Sequence, residues 1–374
     1  MFRDFINGLK RVEDAPSGAT IKEQIKTYRA KEHRRVLFMF LIIAVIAVAA
    51  IYSCTIETMT IRFNEVVEII KKAIYGIPWD SRLEEVKAKI IFERSMPRTV
   101  VAILVGMSLA IGGAMMQSVT RNPLTDSYTI GISSAAMLGV TIGVIYNVCI
   151  IPGFNGNNAS MINAFVFALI PSAAIVLVSS FKKMSPTMMI LIGIGIMYMF
   201  NAFSTFLKFN ADPDALQEIY EWGLGTIGGI HDWSPIIPLI IGTCVIFGVG
   251  MYLANDINVL SSGDNMSKAL GVRPVLTRVI CFVAISVSTG ICVCFTGTIG
   301  FVGLIGPHIA RLFVGSDNKV LIPTSAILGA LMILLADIAV RKIPGALPAG
   351  VITALIGAPI FMYILYMQRK KAAF

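Results

Sequence analysis

Apolar residues along this chain are gathered into blocks, divided by short polar stretches. A helix needs roughly 20 mainly apolar residues to cross a bilayer. Ten runs reach about that length: 36–54, 99–119, 131–151, 161–181, 187–207, 235–254, 275–295, 297–314, 321–340 and 347–367. The pattern predicts a polytopic, all-α membrane protein. The first run exceeds the roughly 7–15 residues of a signal-peptide core, and no small-residue cleavage site follows it. It therefore reads as a retained span with the N-terminus in the cytoplasm, and an even number of crossings returns the C-terminus to the same side.

The charges follow that topology. Lys22, Lys26, Arg29, Lys31, Arg34 and Arg35 precede the first run. Loops assigned inside carry Arg121, Lys182, Lys183, Lys268, Arg273, Arg278, Arg311 and Lys319, and the tail carries Arg369, Lys370 and Lys371. The outside segment between the fifth and sixth runs is acidic, with Asp212, Asp214, Glu218, Glu221 and Asp232. Cytoplasmic loops of membrane proteins collect Lys and Arg in this way. The expected organisation is a basic cytoplasmic extension (1–35), a ten-helix transmembrane domain (36–368) containing a cytoplasmic loop at 255–274, and a short cytoplasmic tail (369–374).

Composition narrows the function. The 374 residues are 56% hydrophobic and 14% charged, against about 25% charged in soluble domains. Ten spans leave no length for a large soluble catalytic or nucleotide-binding domain. The formal charge of +9 is accounted for by the basic inner loops, so no nucleic-acid partner is expected. None of the six cysteines has metal-ligand spacing beyond the pair Cys292 and Cys294, which reads as packing among apolar neighbours, and no disulfide framework is implied.

Candidate chemistry is sparse. A phosphate-binding loop of the form Gly-x-x-x-x-Gly-Lys-Ser/Thr is ruled out because no Gly-Lys pair occurs. No Ser-His-Asp, zinc-ligand or paired-carboxylate arrangement stands out. Asp337 is the only acid inside any run, whereas ion-coupled carriers place ionisable groups near the midplane. Gln117 and His308 are the polar exceptions, and His308 after Pro307 reads as a histidine filling a kink. Glycines at 106, 112, 113, 193, 195, 297, 300, 303 and 306 read as sites of close helix approach.

Two features point to partners. Arg94, Arg98 and Arg341 are cations on the outer side, suited either to lipid phosphates or to an acidic partner. The loop at 255–274 predicts a short amphipathic helix. Asp264 lies at its start, Lys268 follows four residues on, Met266, Ala269 and Leu270 share a face, and Gly271 is placed as a C-cap. Such a helix lies on lipid or docks a soluble protein.

The motifs resemble those of FecCD-type permeases, the membrane subunits of ATP-binding-cassette (ABC) importers for iron–siderophores, haem and cobalamin. The resemblance rests on Met96-Pro97-Arg98, the stretch from Gly106 to Gln117, Arg121-Asn122-Pro123-Leu124 with Gly131, the stretch from Gly297 to Arg311, Ala336-Asp337, Leu347-Pro348-Ala349-Gly350 and Gly357-Ala358-Pro359. It implies a ten-span protomer with the cobalamin-importer (type II) bundle, paired in a homodimer or heterodimer in a prokaryotic cell membrane. It also implies two cytoplasmic ATPase subunits that hold the ATP and Mg, an extracytoplasmic binding protein, and no cofactor, metal or catalytic site on this chain. The cargo implied is a ferric siderophore, otherwise haem or cobalamin.

Residue by residue, the resemblance assigns ATPase coupling to Gly263, Asp264, Lys268, Leu270 and Gly271. It assigns a cytoplasmic gate to Ser185, Pro186 and Thr187, with proline where the family carries a polar residue. Arg98 and Arg341 match arginines that pair with glutamates of the binding protein. Arg94 stands one residue before the family's companion arginine, whose position Ser95 occupies, and Ala346 replaces a usual glutamate. The rival expectation is an ion-coupled secondary transporter that works without ATPase partners.

Overall fold

The computed structural model describes residues 21–56, 59, 61–181, 185–343 and 347–372. Residues 1–20 of the basic extension, Lys182, Lys183, Ala346 and the last two residues lie outside them, as do the side chains of residues 21–31 and of the tail cations.

Every described element of regular structure is helical. In chain order the helices are α1 (Ile21–Ser53), α2 (Phe63–Tyr75), α3 (Arg82–Ile90), α4 (Met96–Thr120), α5 (Ile132–Tyr146), α6 (Asn157–Phe181), α7 (Pro186–Lys208), α8 (Pro213–Gly223), α9 (Ile236–Tyr252), α10 (Ala254–Leu260), α11 (Asp264–Ala269), α12 (Pro274–Thr296), α13 (Val302–Val314), α14 (Asn318–Lys342) and α15 (Ala349–Ala372). Each predicted apolar run holds a helix over most of its length. Six of these are long and apolar enough to cross a bilayer, and α9 with α10, bent by 59°, forms a seventh, broken span. The apolar parts of three others (Ile132–Tyr146, Val302–Val314 and Ala349–Ile364) are shorter.

Two of the short helices are bounded by left-handed backbone: α13 follows Phe301, and α5 lies between Gly131 (φ 91°) and Asn147 (φ 50°). The run at 297–314 was expected to be helical throughout, but α13 starts only at Val302. Gly297 (φ 65°) and Phe301 (φ 69°) hold left-handed backbone, which an α-helix cannot contain. The 13 residues of α13 then rise about 20 Å, short of the ~30 Å hydrocarbon core. The stretch before α5 behaves similarly. Arg121 turns the chain with φ 54°, and after the exposed Pro123 and Leu124 residues 125–131 fold back against the bundle.

A Cβ added at Gly112 would sit 2.5 Å from Ser127 Oγ, and one at Gly193 would sit 2.6 Å from Ile130 Cα. Asp126 is thereby buried.

Non-helical backbone within a membrane bundle must be satisfied by protein, and here it is. Asp126 accepts from Tyr128 N, Thr129 N and Thr129 Oγ1. Tyr128 Oη accepts from Ile299 N at 3.2 Å, which links the two irregular strips. Thr226 N donates to Thr296 O, Thr298 Oγ1 to Gly223 O, and Gly350 N to Gly225 O. The starts of α13 and α15 and the end of α8 are stitched together by these bonds.

Helix α4 forms the spine. Gly106 meets Gly329 of α14, and Gly113 meets Gly303 of α13, so closely that a Cβ on either would lie within 2.2 Å of a backbone oxygen. Small residues allow this approach where the hydrophobic effect cannot drive helix association. Gly195 and Gly300 have nothing within 4 Å of such a Cβ, so close packing does not explain them. On the periphery, α1 presents Leu37, Phe40 and Leu41 outward, as a lipid-facing helix does.

Candidate docking and coupling sites

At the end of the bundle that carries α2 and α3, three of the sequence-predicted residues sit around the start of α4. A five-residue π-helical turn, Ile91–Ser95, leads into it, with Pro97 in the first turn, a position that suits proline's fixed φ. Arg94 is exposed. Arg98 points the other way: its Nε donates to Asp337 Oδ1 at 2.9 Å and its Nη2 to the same oxygen at 2.8 Å.

Arg341, one turn beyond Asp337 on α14, donates through Nη2 to Asp337 Oδ2 and through Nη1 to the carbonyl oxygens of Ser53 and Ile56. The Asp337 side chain is fully buried. Arg98 and Arg341 are thus joined by one carboxylate that also ties α14 to α4 and to the end of α1, while Arg94 stays apart.

At the opposite end, α11 occupies the loop where a short amphipathic helix was expected. Gly263 (φ 104°) and Gly271 (φ 84°) bracket it in backbone conformations that favour glycine. Met266 and Leu270 are 55% and 62% exposed, an apolar face left open among the described residues.

The other face is anchored. Asp264 takes both guanidinium nitrogens of Arg278, Nη1 at 3.0 Å and Nη2 at 2.6 Å, and Arg121 Nη2 at 3.1 Å. Arg278 is itself fully buried and donates through Nε to Val119 O at 3.0 Å. The Arg278 guanidinium beside Asp264 holds its carboxyl below the usual carboxylate range. Ser267 Oγ, buried beneath the helix, is within hydrogen-bond reach of the carbonyls of Val259 and Gly263. Helix α11 is therefore fixed to α12 and to the end of α4, so a force on it reaches the central helix.

The triplet Ser185, Pro186 and Thr187 begins α7. Ser185 Oγ accepts from Met188 N at 3.2 Å as N-cap, with Pro186 in the first turn. The proline thus has a local role as helix initiator. Ser185 and Thr187 are exposed.

Residues 36–367 match the model of the FecCD transport family. The chain belongs to that family. Its relatives include a protein named as an ABC transporter permease in Methanocaldococcus jannaschii, 34% identical over 92% of this chain and 98% of that one. The iron(3+)-hydroxamate import permease FhuB of Bacillus subtilis is 34% identical over 75% of this chain and 72% of its own. The cobalamin import permease BtuC of Halobacterium salinarum is 34% identical over 80% and 79%. A solved metal-chelate type ABC transporter in an inward-facing conformation superposes with a TM-score of 0.76 at 27% identity, covering 88% of this chain and 99% of that one. As a FecCD member the chain is a multi-pass membrane permease of the transport class.

Two contacts at the candidate sites escaped sequence reasoning. Arg278 was visible only as one more inner cation, yet it is the buried clamp on Asp264. Asp337 was visible only as the one acid inside a run, and it gathers Arg98 and Arg341. Among the described residues no group of three or more His, Cys, Asp or Glu is placed to hold a metal.

Proposed function

We propose that this chain is the permease of an ABC importer that carries a metal chelate from an extracytoplasmic binding protein into the cytoplasm. Ferric siderophore is the first candidate cargo and haem or cobalamin the next. The proposed assembly pairs two permease protomers, identical or not, with two cytoplasmic ATPases that bind ATP and Mg. It lies in a prokaryotic cell membrane with both termini cytoplasmic. The observation that carries this reading is α11, a short helix with an exposed apolar face whose other side is clamped to the spine of the bundle through Asp264 and Arg278.

In this reading, closure of the ATPases pushes on Gly263, Asp264, Lys268, Leu270 and Gly271. The push passes through Arg278 to α12 and α4 and opens a path between the two protomers' α7 helices, with Ser185, Pro186 and Thr187 at its inner mouth. The binding protein lands on the outer face, where Arg94, Arg98 and Arg341 supply positive charge. Selectivity resides in the binding protein, since a tight site in the path would trap the cargo.

Reconstitution in proteoliposomes with the ATPase and the binding protein tests this. Uptake of iron-loaded siderophore, haem or cobalamin should require ATP and stop with an ATPase-dead partner. Uptake that persists without ATPase and collapses with a protonophore would establish the ion-coupled alternative.

A further inference from the structure

On α4, α12, α13 and α14, Arg98, Arg278, Arg311 and Arg341 are partly or fully buried. Arg98 and Arg341 share Asp337, and Arg278 holds Asp264. Arg311, on α13, differs. Among the described residues its hydrogen-bond partner is the amide oxygen of Gln117, reached through Nη1, and no carboxylate pairs with it. A guanidinium carries five N–H donors, and a buried charge without a counterion is costly.

Arg311 faces a cavity of about 300 Å³ at the α11 end of the bundle, where α4, α10, α13 and α14 meet. Its walls include Gln117, Ser118, Arg121, Asn258 and His308, and none of the residues lining it is acidic. With about 30 Å³ per water, the space admits a small hydrated anion. Gln117 is fixed from behind, its Nε2 donating to Gly303 O and Leu304 O at 3.2 and 3.3 Å, so its oxygen steadies the Arg311 fork.

The neutral wall is largely occupied with itself: Ser118 Oγ donates to Asn318 Oδ1, Asn318 Nδ2 to Asn258 Oδ1, and Asn258 Nδ2 to Asp317 Oδ1. The unsatisfied charge therefore belongs to Arg311, with Arg121 at the rim, whose own carboxylate partner Asp264 is already held by Arg278 through both nitrogens.

We propose that this cavity binds a phosphate-type oxyanion, received by the planar fork of Arg311 and flanked by Arg121. Guanidinium forks match phosphate oxygens in two-point contacts. The anion is either free phosphate or the headgroup of an anionic lipid of the adjoining leaflet. Bound there, it would join the end of α13 to the end of α4 beside the helix on which the ATPases are proposed to act.

Full-length chain in maltoside detergent, stripped of phospholipid, gives the test. Inorganic phosphate is titrated against chloride at matched ionic strength, following the unfolding midpoint and the binding of radiolabelled phosphate by equilibrium dialysis. A second arm adds phosphatidylglycerol. Saturable binding and a raised midpoint are expected, with at least about tenfold weaker affinity in Arg311→Gln and a smaller loss in Arg121→Gln, whose exposed position keeps folding intact. A response to phosphate identifies the free ion, and a response to phosphatidylglycerol alone identifies the lipid. No response to either, or the same response in wild type and in both variants, overturns the proposal.

Discussion

Arg98 reaches Asp337 through three hydrogen bonds, Nε to both carboxylate oxygens and Nη2 to one of them, across 239 residues of sequence. Arg341 takes the remaining face of the same buried group. One negative charge therefore serves two positive ones, and the cluster keeps a net positive charge. That arrangement locks the start of α4 to the end of α14 and leaves one positive charge without a carboxylate of its own.

Replacing Asp337 with Asn should leave two guanidinium groups facing a neutral amide. Removing one partner of a buried ion pair costs about 3–5 kcal/mol, so unfolding in detergent should shift by several kcal/mol. Adding Arg98→Met and Arg341→Met to Asp337→Asn should recover much of the loss, because removing every charge of a buried cluster is close to neutral. A stability for Asp337→Asn equal to wild type would show that the three groups do not interact in solution.

The same geometry divides the predicted docking arginines. Arg94→Glu should slow association of the binding protein at low ionic strength, with little effect at high salt where exposed charges are screened. It should not alter unfolding. Arg98→Glu with Arg341→Glu should weaken docking too, but with a large loss of stability, since it places three carboxylates together. Association kinetics at two salt concentrations, alongside thermal unfolding, check both expectations. Salt-insensitive, unchanged docking in both variants would remove the landing role.

Much of the architecture was legible in the pattern because bilayer thickness dictates how long apolar runs must be. Helix α11 was legible because Gly263 and Gly271 bracket a stretch opening with Asp264. The folded-back strip at 125–131 was not, because its mainly polar residues read as a loop, and neither was the strip at 297–301, whose apolar residues serve helix and non-helix equally. Nothing in the identity of Phe301 announces a φ of 69°. Gly297 was the available hint, as a glycine closing a helix. The pairs Arg98 with Asp337 and Arg278 with Asp264 depend on which helices adjoin, and no local spacing encodes that.

Leu270→Asp should leave the bundle intact, because the side chain is 62% exposed, and should uncouple ATP hydrolysis from uptake. Asp264→Asn should loosen the helix instead, raising amide hydrogen exchange across residues 263–271. The sign of the pH effect follows from Arg278, which lowers the Asp264 pKa in the folded state. A lowered folded pKa gives stabilisation that is present above the unfolded value of about 3.9 and lost as pH falls through the folded one. Exchange in wild type should therefore stay flat from about pH 8 to pH 5 after correction for intrinsic rates. A rise within that window would mean that the clamp is not formed.

The crossing of α4 with α13 offers a sharper test of the packing. A Cβ on Gly113 would lie 1.9 Å from the carbonyl oxygen of Gly303 and 2.5 Å from its carbon. Both are backbone atoms, so no side chain can rotate aside, and α13 must move away. Overpacking of this kind costs about 1–3 kcal/mol or more, and Gly113→Ala should lower the unfolding midpoint. Gly248, on the exposed side of α9, has nothing within 4 Å of its added Cβ. Gly248→Ala should be neutral or gain up to about 1 kcal/mol from helix propensity. Because Gln117 bonds to Gly303 O, Gly113→Ala should also displace the Gln117 amide from α13 and reduce transport, whereas Gly248→Ala should transport normally. Identical behaviour of the two variants would mean that α4 and α13 do not touch at Gly113.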